Sequence, residues 1–259
     1  MSENVAAQSQ TKTSAAGEVV EIIKTVVYAL LIALFLRVIF FQPYTIPSAS
    51  MEPNLYEGDY IIVSKWTYGW SRHSIPFSPP LFHGRILERQ PHRGDIVVFK
   101  LPRDNHTDYV KRLIGLPGDR IQMKKGLLYI NGAQVPRQYA GTVKEDTGYG
   151  FVRDVFRYRE TLPGGATFVT DDWGPDNDLD NTGVFVVPEG HYFMMGDNRD
   201  NSSDSRVAPA DGGVGFVPAE NLEGKAQIIL LSWKPGASIF KPWTWVLDAR
   251  PSRFAHLLQ

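Results

Sequence analysis

The feature that most constrains this chain is an apolar segment from Val19 to Phe41, the only strongly apolar stretch in 259 residues. As a helix rising roughly 1.5 Å per residue, it is long enough to cross a hydrocarbon layer of about 30 Å. Glu21 and Lys24 lie in its first two turns and Arg37 near its far end, positions from which charged groups reach the interface. Only twelve uncharged residues separate Lys24 from Arg37, a length that also suits the core of a secretory signal peptide or a buried helix. Lys12 and Lys24 are balanced by Glu3, Glu18 and Glu21, so charge bias sets no orientation. The organisation expected is a short polar tail over residues 1–18, a membrane anchor over 19–41, and a large domain over 42–259 on one side of the membrane.

Composition bounds what that domain can be. A hydrophobic content of 43% is ample for a core. The formal net charge is -1, so no basic field points to nucleic acid as a partner. The chain has no Cys, which removes thiol catalysis, thiolate metal sites and disulfides. None of the motifs below has metal-ligand spacing, there is no Gly-x-Ser-x-Gly elbow, and no cofactor is implied.

After Phe41 the texture is β. Asp59–Lys65 and Asp95–Lys100 are short β-branched runs, each opened by a Gly-Asp turn signal. Further strands are expected at Tyr109–Ile114, Gly126–Ile130, Gly183–Val187, His191–Met195 and Ala226–Leu231. Asn131-Gly132 marks a hairpin. Ser71–Arg93 reads as an excursion of loops and Asp171–Asp180 as an acidic loop. No long helical period appears. The fold class expected is mainly β: an antiparallel sheet domain with a smaller inserted β subdomain around residues 120–190, preceded by one transmembrane helix.

Three motifs carry chemistry. The first, Ile46-Pro47-Ser48-Ala49-Ser50-Met51-Glu52-Pro53, follows the apolar segment directly. The nine residues from Phe41 to Ser50 reach roughly 30 Å when fully extended, so Ser50 works close to a membrane surface. An apolar run followed by small-x-small also describes a signal-peptide cleavage site, with Ser48 and Ser50 before the cut. The motif alone leaves both readings open.

The second, Asp108–Asp119, places Lys111 and Arg112 inside an apolar strand. Alternation puts Tyr109, Lys111 and Leu113 on one face and Val110, Arg112 and Ile114 on the other. If the Lys111 face turns inward, lost hydration lowers its pKa from about 10.4. A neutral lysine amine can then take a serine proton. The alternative is an edge strand with both cations in solvent. The third motif, Met195–Arg206, is dense in hydroxyl, amide and charged side chains after an apolar strand, as in a tight loop beside a site. Neither it nor the acidic loop has the closing Glu of a calcium loop.

In this order, the motifs resemble the bacterial type I signal peptidases, serine proteases with a Ser-Lys dyad, across roughly residues 40–232. The resemblance implies Ser50 as nucleophile, Lys111 as general base and Ser48 as an oxyanion donor beside the Ser50 backbone N–H. It implies Ser202 as the hydroxyl that orients the lysine amine, with Asp204 and Arg206 as a supporting pair. Tyr44, Ile46, Tyr109 and Val110 fall where the family lines shallow pockets for Ala-x-Ala-like sites. Implied partners are the signal peptides of exported preproteins and membrane lipid. The implied location is the bacterial inner membrane, single-pass, with the catalytic domain on the periplasmic side.

Some features depart from the family pattern: there is no second transmembrane segment, Ala49 replaces a common Gly, and the segment after Arg206 is longer. The tail carries Trp233, Phe240, Trp243, Trp245 and Phe254 among cations, which suits either a membrane interface or packing on the β domain. A self-cleaving repressor-type protease would carry a DNA-binding domain in place of the anchor. A non-enzymatic exported β module, with its first 50 residues removed as a signal peptide, leaves the Lys111 and Ser202 motifs without a role.

Overall fold

The computed structural model of the chain describes residues 15–146, 151–237, 241 and 243–258. Residues 1–14 of the expected tail, and Phe240, lie outside the described residues. The first element is a helix, Ala15–Ile39. It begins inside the stretch expected to be tail, because Ala15 and Ala16 favour helix and Glu18 complements the positive end of its first turn. It also ends early: Phe41 already belongs to a strand, Phe41–Thr45. Gly17–Ile39 is long and apolar enough to cross a membrane by length and composition. Its apolar side chains are exposed. The chain divides into two units, the first ending at Arg37 and the second beginning at Val38.

The second unit is antiparallel β. Its main sheet runs in the order Phe41–Thr45, Asp59–Ser64, Leu222–Ser232, Ile96–Lys100, Asp108–Gly115, His191–Met195 and Val217–Pro218. His256–Leu257 adds an eighth strand by pairing with Leu222–Ser232. Ile96–Lys100 is paired on both sides, and its unbroken Ile-Val-Val-Phe run is buried on both faces. Asp59–Ser64 shows period two: Ile61 and Val63 are buried while Tyr60 faces out.

Two further sheets intervene in sequence between the neighbouring strands Asp108–Gly115 and His191–Met195. One has four strands, Phe185–Val186, Arg120–Lys124, Leu127–Ile130 and Ala133–Gln134. The other has three, Arg137–Asp146, Val152–Thr161 and Thr167–Asp172. The Asn131-Gly132 turn forms with both residues at positive φ, as a tight hairpin requires. The inserted sheets share a core with the main one: Ile121, Leu128 and Phe168 pack with Ile114, Phe193 and Met195.

Within the excursion 71–93, a two-residue ribbon, Trp70–Ser71 with Arg85–Ile86, and a 3-10 turn, Arg72–Ser74, capped by Ser71, break the loops. The C-terminal tail divides. Trp233 packs against Tyr60 and Phe254, and Arg253 binds the buried Asp59, whereas Trp243 and Trp245 stay exposed.

Candidate active site

The turn that carries Ser50 is built by backbone hydrogen bonding and apolar burial. Strand pairing continues past Thr45 through Ile46 N to Asp59 O at 2.9 Å, and Ile46 is buried. Ser48 is extended, and Ala49–Met51 then form a single 3-10 turn closed by Glu52 N to Ala49 O at 3.1 Å. Met51 and Leu55 sink fully into the core, which, with the buried Ile46 on the other side, fixes the direction of Ser50.

Strand pairing brings Lys111 to this turn. It lies opposite Val97 in the middle of the sheet and is only 4% exposed. Its Nζ donates to Ser50 Oγ at 2.7 Å. Burial pulls the Lys111 pKa down to about 8; Asp204 and Asp197 oppose the shift and Arg206 adds to it. The solvated-edge alternative for this strand is therefore wrong, since Arg112 on the opposite face is buried too.

The loop after Met195 holds the serine turn from behind. Asn198 N donates to Ser50 O at 3.2 Å, and Asn198 Nδ2 donates to Ala49 O at 3.3 Å. Gly196 is required by close approach: a Cβ there would stand 2.2 Å from Ser202 Oγ and 2.5 Å from Ser50 O. Asp204 receives the Gly196 N–H at 2.9 Å and binds Arg206 through both oxygens, Nε to Oδ1 at 2.9 Å and Nη2 to Oδ2 at 2.8 Å. Burial alone would raise the Asp204 carboxyl, but Arg206 and the Gly196 N–H hold it below the usual carboxylate range.

Ser48 Oγ lies 3.4 Å from Ser50 Oγ. Ser202 departs from what the resemblance implied. Its hydroxyl is buried against Gly196 and makes no hydrogen bond, so the contact with the Lys111 amine is not formed. Tyr44, Ile46, Tyr109 and Val110 line, with Ser48, Ser50 and Lys111, one cavity of about 580 Å³.

Sequence reading missed the ion pairs that anchor this loop. Arg112 grips Asp197 with Nε and Nη2, both at 2.7 Å, and its guanidinium stacks 4.0 Å from the Phe168 ring centre. Asn54 Nδ2 joins the Asp197 carboxylate at 2.7 Å. Arg199 and Glu160 form a second buried bidentate pair at 2.9 and 2.7 Å. Strand alternation did carry a signal: if Lys111 points inward, Arg112 must find a carboxylate on the other face.

Comparison with known proteins bears on the same residues. Residues 19–233 match the family model described as signal peptidase, peptidase S26. The chain belongs to the signal peptidase family. Signal peptidase I of Rickettsia typhi is 45% identical over 215 residues, covering 80% of this chain and 78% of that one. Signal peptidase I of Rickettsia canadensis is 43% identical over 235 residues, covering 88% and 85%. A solved signal peptidase I from Enterococcus faecalis is 29% identical, with a TM-score of 0.30, covering 53% of this chain and 97% of its own. As a signal peptidase family member the chain is a serine peptidase, which removes the reading of it as a non-enzymatic exported module.

Proposed function

We propose that the protein removes signal peptides from exported preproteins after Ala-x-Ala-like sites, with Ser50 as nucleophile and Lys111 as general base. The observation that carries this reading is the 2.7 Å contact between a buried lysine and a serine hydroxyl at the edge of a cavity. An amine with a pKa pulled to about 8 is substantially neutral in mildly alkaline solution and able to accept the Ser50 proton.

In the first half-reaction Ser50 Oγ attacks the scissile carbonyl carbon as its proton passes to Lys111 Nζ. The Ser48 hydroxyl and the Ser50 backbone N–H receive the oxyanion. The protonated Lys111 then gives its proton to the leaving amine, and an acyl-serine remains. Water, deprotonated by Lys111, hydrolyses that ester and restores the free hydroxyl. Asp204 and Arg206 maintain the charge balance around the amine without reacting. Tyr44, Ile46, Tyr109 and Val110 admit small side chains at the first and third positions before the cut.

The helix through Ile39 would hold the enzyme in the bacterial inner membrane with the β domain on the periplasmic side, where cleavage sites emerge. Such tethering raises the effective concentration of enzyme and inserted substrate. The deciding experiment incubates the detergent-solubilised full chain with a preprotein bearing Ala-x-Ala and maps the new N-terminus. A cut directly after the second Ala, lost in Ser50→Ala, is the expected result. A cut elsewhere, or one that survives in Ser50→Ala, sinks the proposal.

A further inference from the structure

One wall of the cavity is held by groups that the chemistry above does not use. Tyr44, whose ring lines the cavity, donates its phenol to Glu223 Oε2. Glu223 sits on Leu222–Ser232, two strands away from Phe41–Thr45 across the sheet, and is 2% exposed. Its other oxygen faces Lys100 Nζ at 3.4 Å. Lys100 in turn donates to Asp108 Oδ1 at 2.5 Å and to His106 O at 3.0 Å. Asp108 lines the cavity as well, next to Tyr109. A polar chain, Tyr44–Glu223–Lys100–Asp108, thus connects two sides of one cavity, running from the buried Glu223 out to the exposed Asp108.

A carboxylate this deeply buried requires its partners, because an unpaired oxygen there has no water to turn to. The phenol is one of those partners. Swinging the Tyr44 ring outward would strip Glu223 of a charge-assisted hydrogen bond, so the ring is not free to yield to a large substrate side chain. A phenylalanine at position 44 would lack that tether.

We infer that Glu223, supported by Lys100, is a positioning residue for substrate selection: it pins Tyr44 as a fixed wall and so narrows the cavity to small side chains. This rests on the peptidase reading above. Neither Glu223 nor Lys100 touches the reacting atoms; both act through Tyr44.

The test uses the full chain in detergent and two preprotein series, with Ala or Val at the first or at the third position before the cut. A pocket typically discriminates one or two added methylene groups by roughly 10- to 200-fold. In Tyr44→Phe and Glu223→Val, the Ala-over-Val ratio of kcat/KM should fall by at least about fivefold in one series, chiefly through a lower KM for the Val substrate. Glu223→Gln keeps an oxygen that accepts the phenol and should retain most of the wild-type ratio. That rescue separates pinning of the ring from simple damage to the sheet. Should Glu223→Val fail to fold, Tyr44→Phe decides alone. An unchanged ratio in Tyr44→Phe, with wild-type cleavage of Ala-x-Ala present, overturns this inference and leaves the proposed function standing. Wild-type enzyme that cuts no preprotein overturns both.

Discussion

Lys111 and Arg112 are adjacent on one strand, equally cut off from solvent, and meet opposite electrostatic surroundings. Arg112 is gripped by Asp197 at 2.7 Å. Lys111 forms no ion pair among the described residues and meets the Ser50 hydroxyl instead. The difference follows from the pleat: one residue along the strand reverses the face. A guanidinium cannot shed its charge at ordinary pH and must be paired, whereas an ammonium can release a proton and become a base.

That contrast predicts the behaviour of the dyad. Ser50→Ala and Lys111→Ala should each abolish cleavage without unfolding the domain, and the double variant should lose little more, since the two act as one unit. Lys111→Arg should also be inactive, because its guanidinium stays protonated. Ser48→Ala should retain traces, slower by about 100- to 1000-fold, the usual loss for one oxyanion donor. Single-turnover rates on one preprotein compare all five.

The pH profile follows from the same amine. The neutral form is active, so kcat/KM should climb about tenfold per pH unit in acid and level off above the Lys111 pKa of about 8. Asp204 raises that pKa and Arg206 lowers it. Asp204→Asn removes the first influence and leaves the second, so the rising limb should move to lower pH. A limb that stays in place, or moves to higher pH, would exclude Asp204 from setting the lysine's charge.

Gly196→Ala tests how tightly the loop supports the nucleophile. The added methyl would meet Ser202 Oγ at 2.2 Å and Ser50 O at 2.5 Å. Relief requires the Ser50 turn to shift, and misplacement by about 1 Å typically costs on the order of 100-fold in rate. The loss should appear in kcat more than in KM. Full activity in this variant would mean that the loop and the serine turn move independently.

For Asp197, stability is the readout. Asp197→Ala removes the carboxylate that grips the Arg112 guanidinium, which is 1% exposed and keeps its bond to Gly94 O, and should destabilise the domain by about 3–5 kcal/mol in denaturant unfolding. Pairing it with Arg112→Met should recover most of that loss, since an apolar pair of similar volume needs no charge compensation. A double variant as unstable as Asp197→Ala would show that the cost lies in packing rather than in the unpaired charge.

What the sequence determined was local. Alternation placed Lys111 and Arg112 on opposite faces; the Asn131-Gly132 dipeptide set a hairpin; prolines and small residues after an apolar segment put Ser50 in a turn. These follow from backbone sterics and period, which act over a few residues. The tertiary structure decided which faces turn inward and which charges meet. Ser202 could be placed beside the site from its motif, yet its hydroxyl packs against Gly196 rather than reaching the amine. Asp197 finds Arg112 85 positions away, and Glu223 finds Tyr44 179 positions away. Such partners are selected by sheet order, through the desolvation of each charge at its final depth. No pattern within a single strand contains that depth, because it is set by every other strand packed around it.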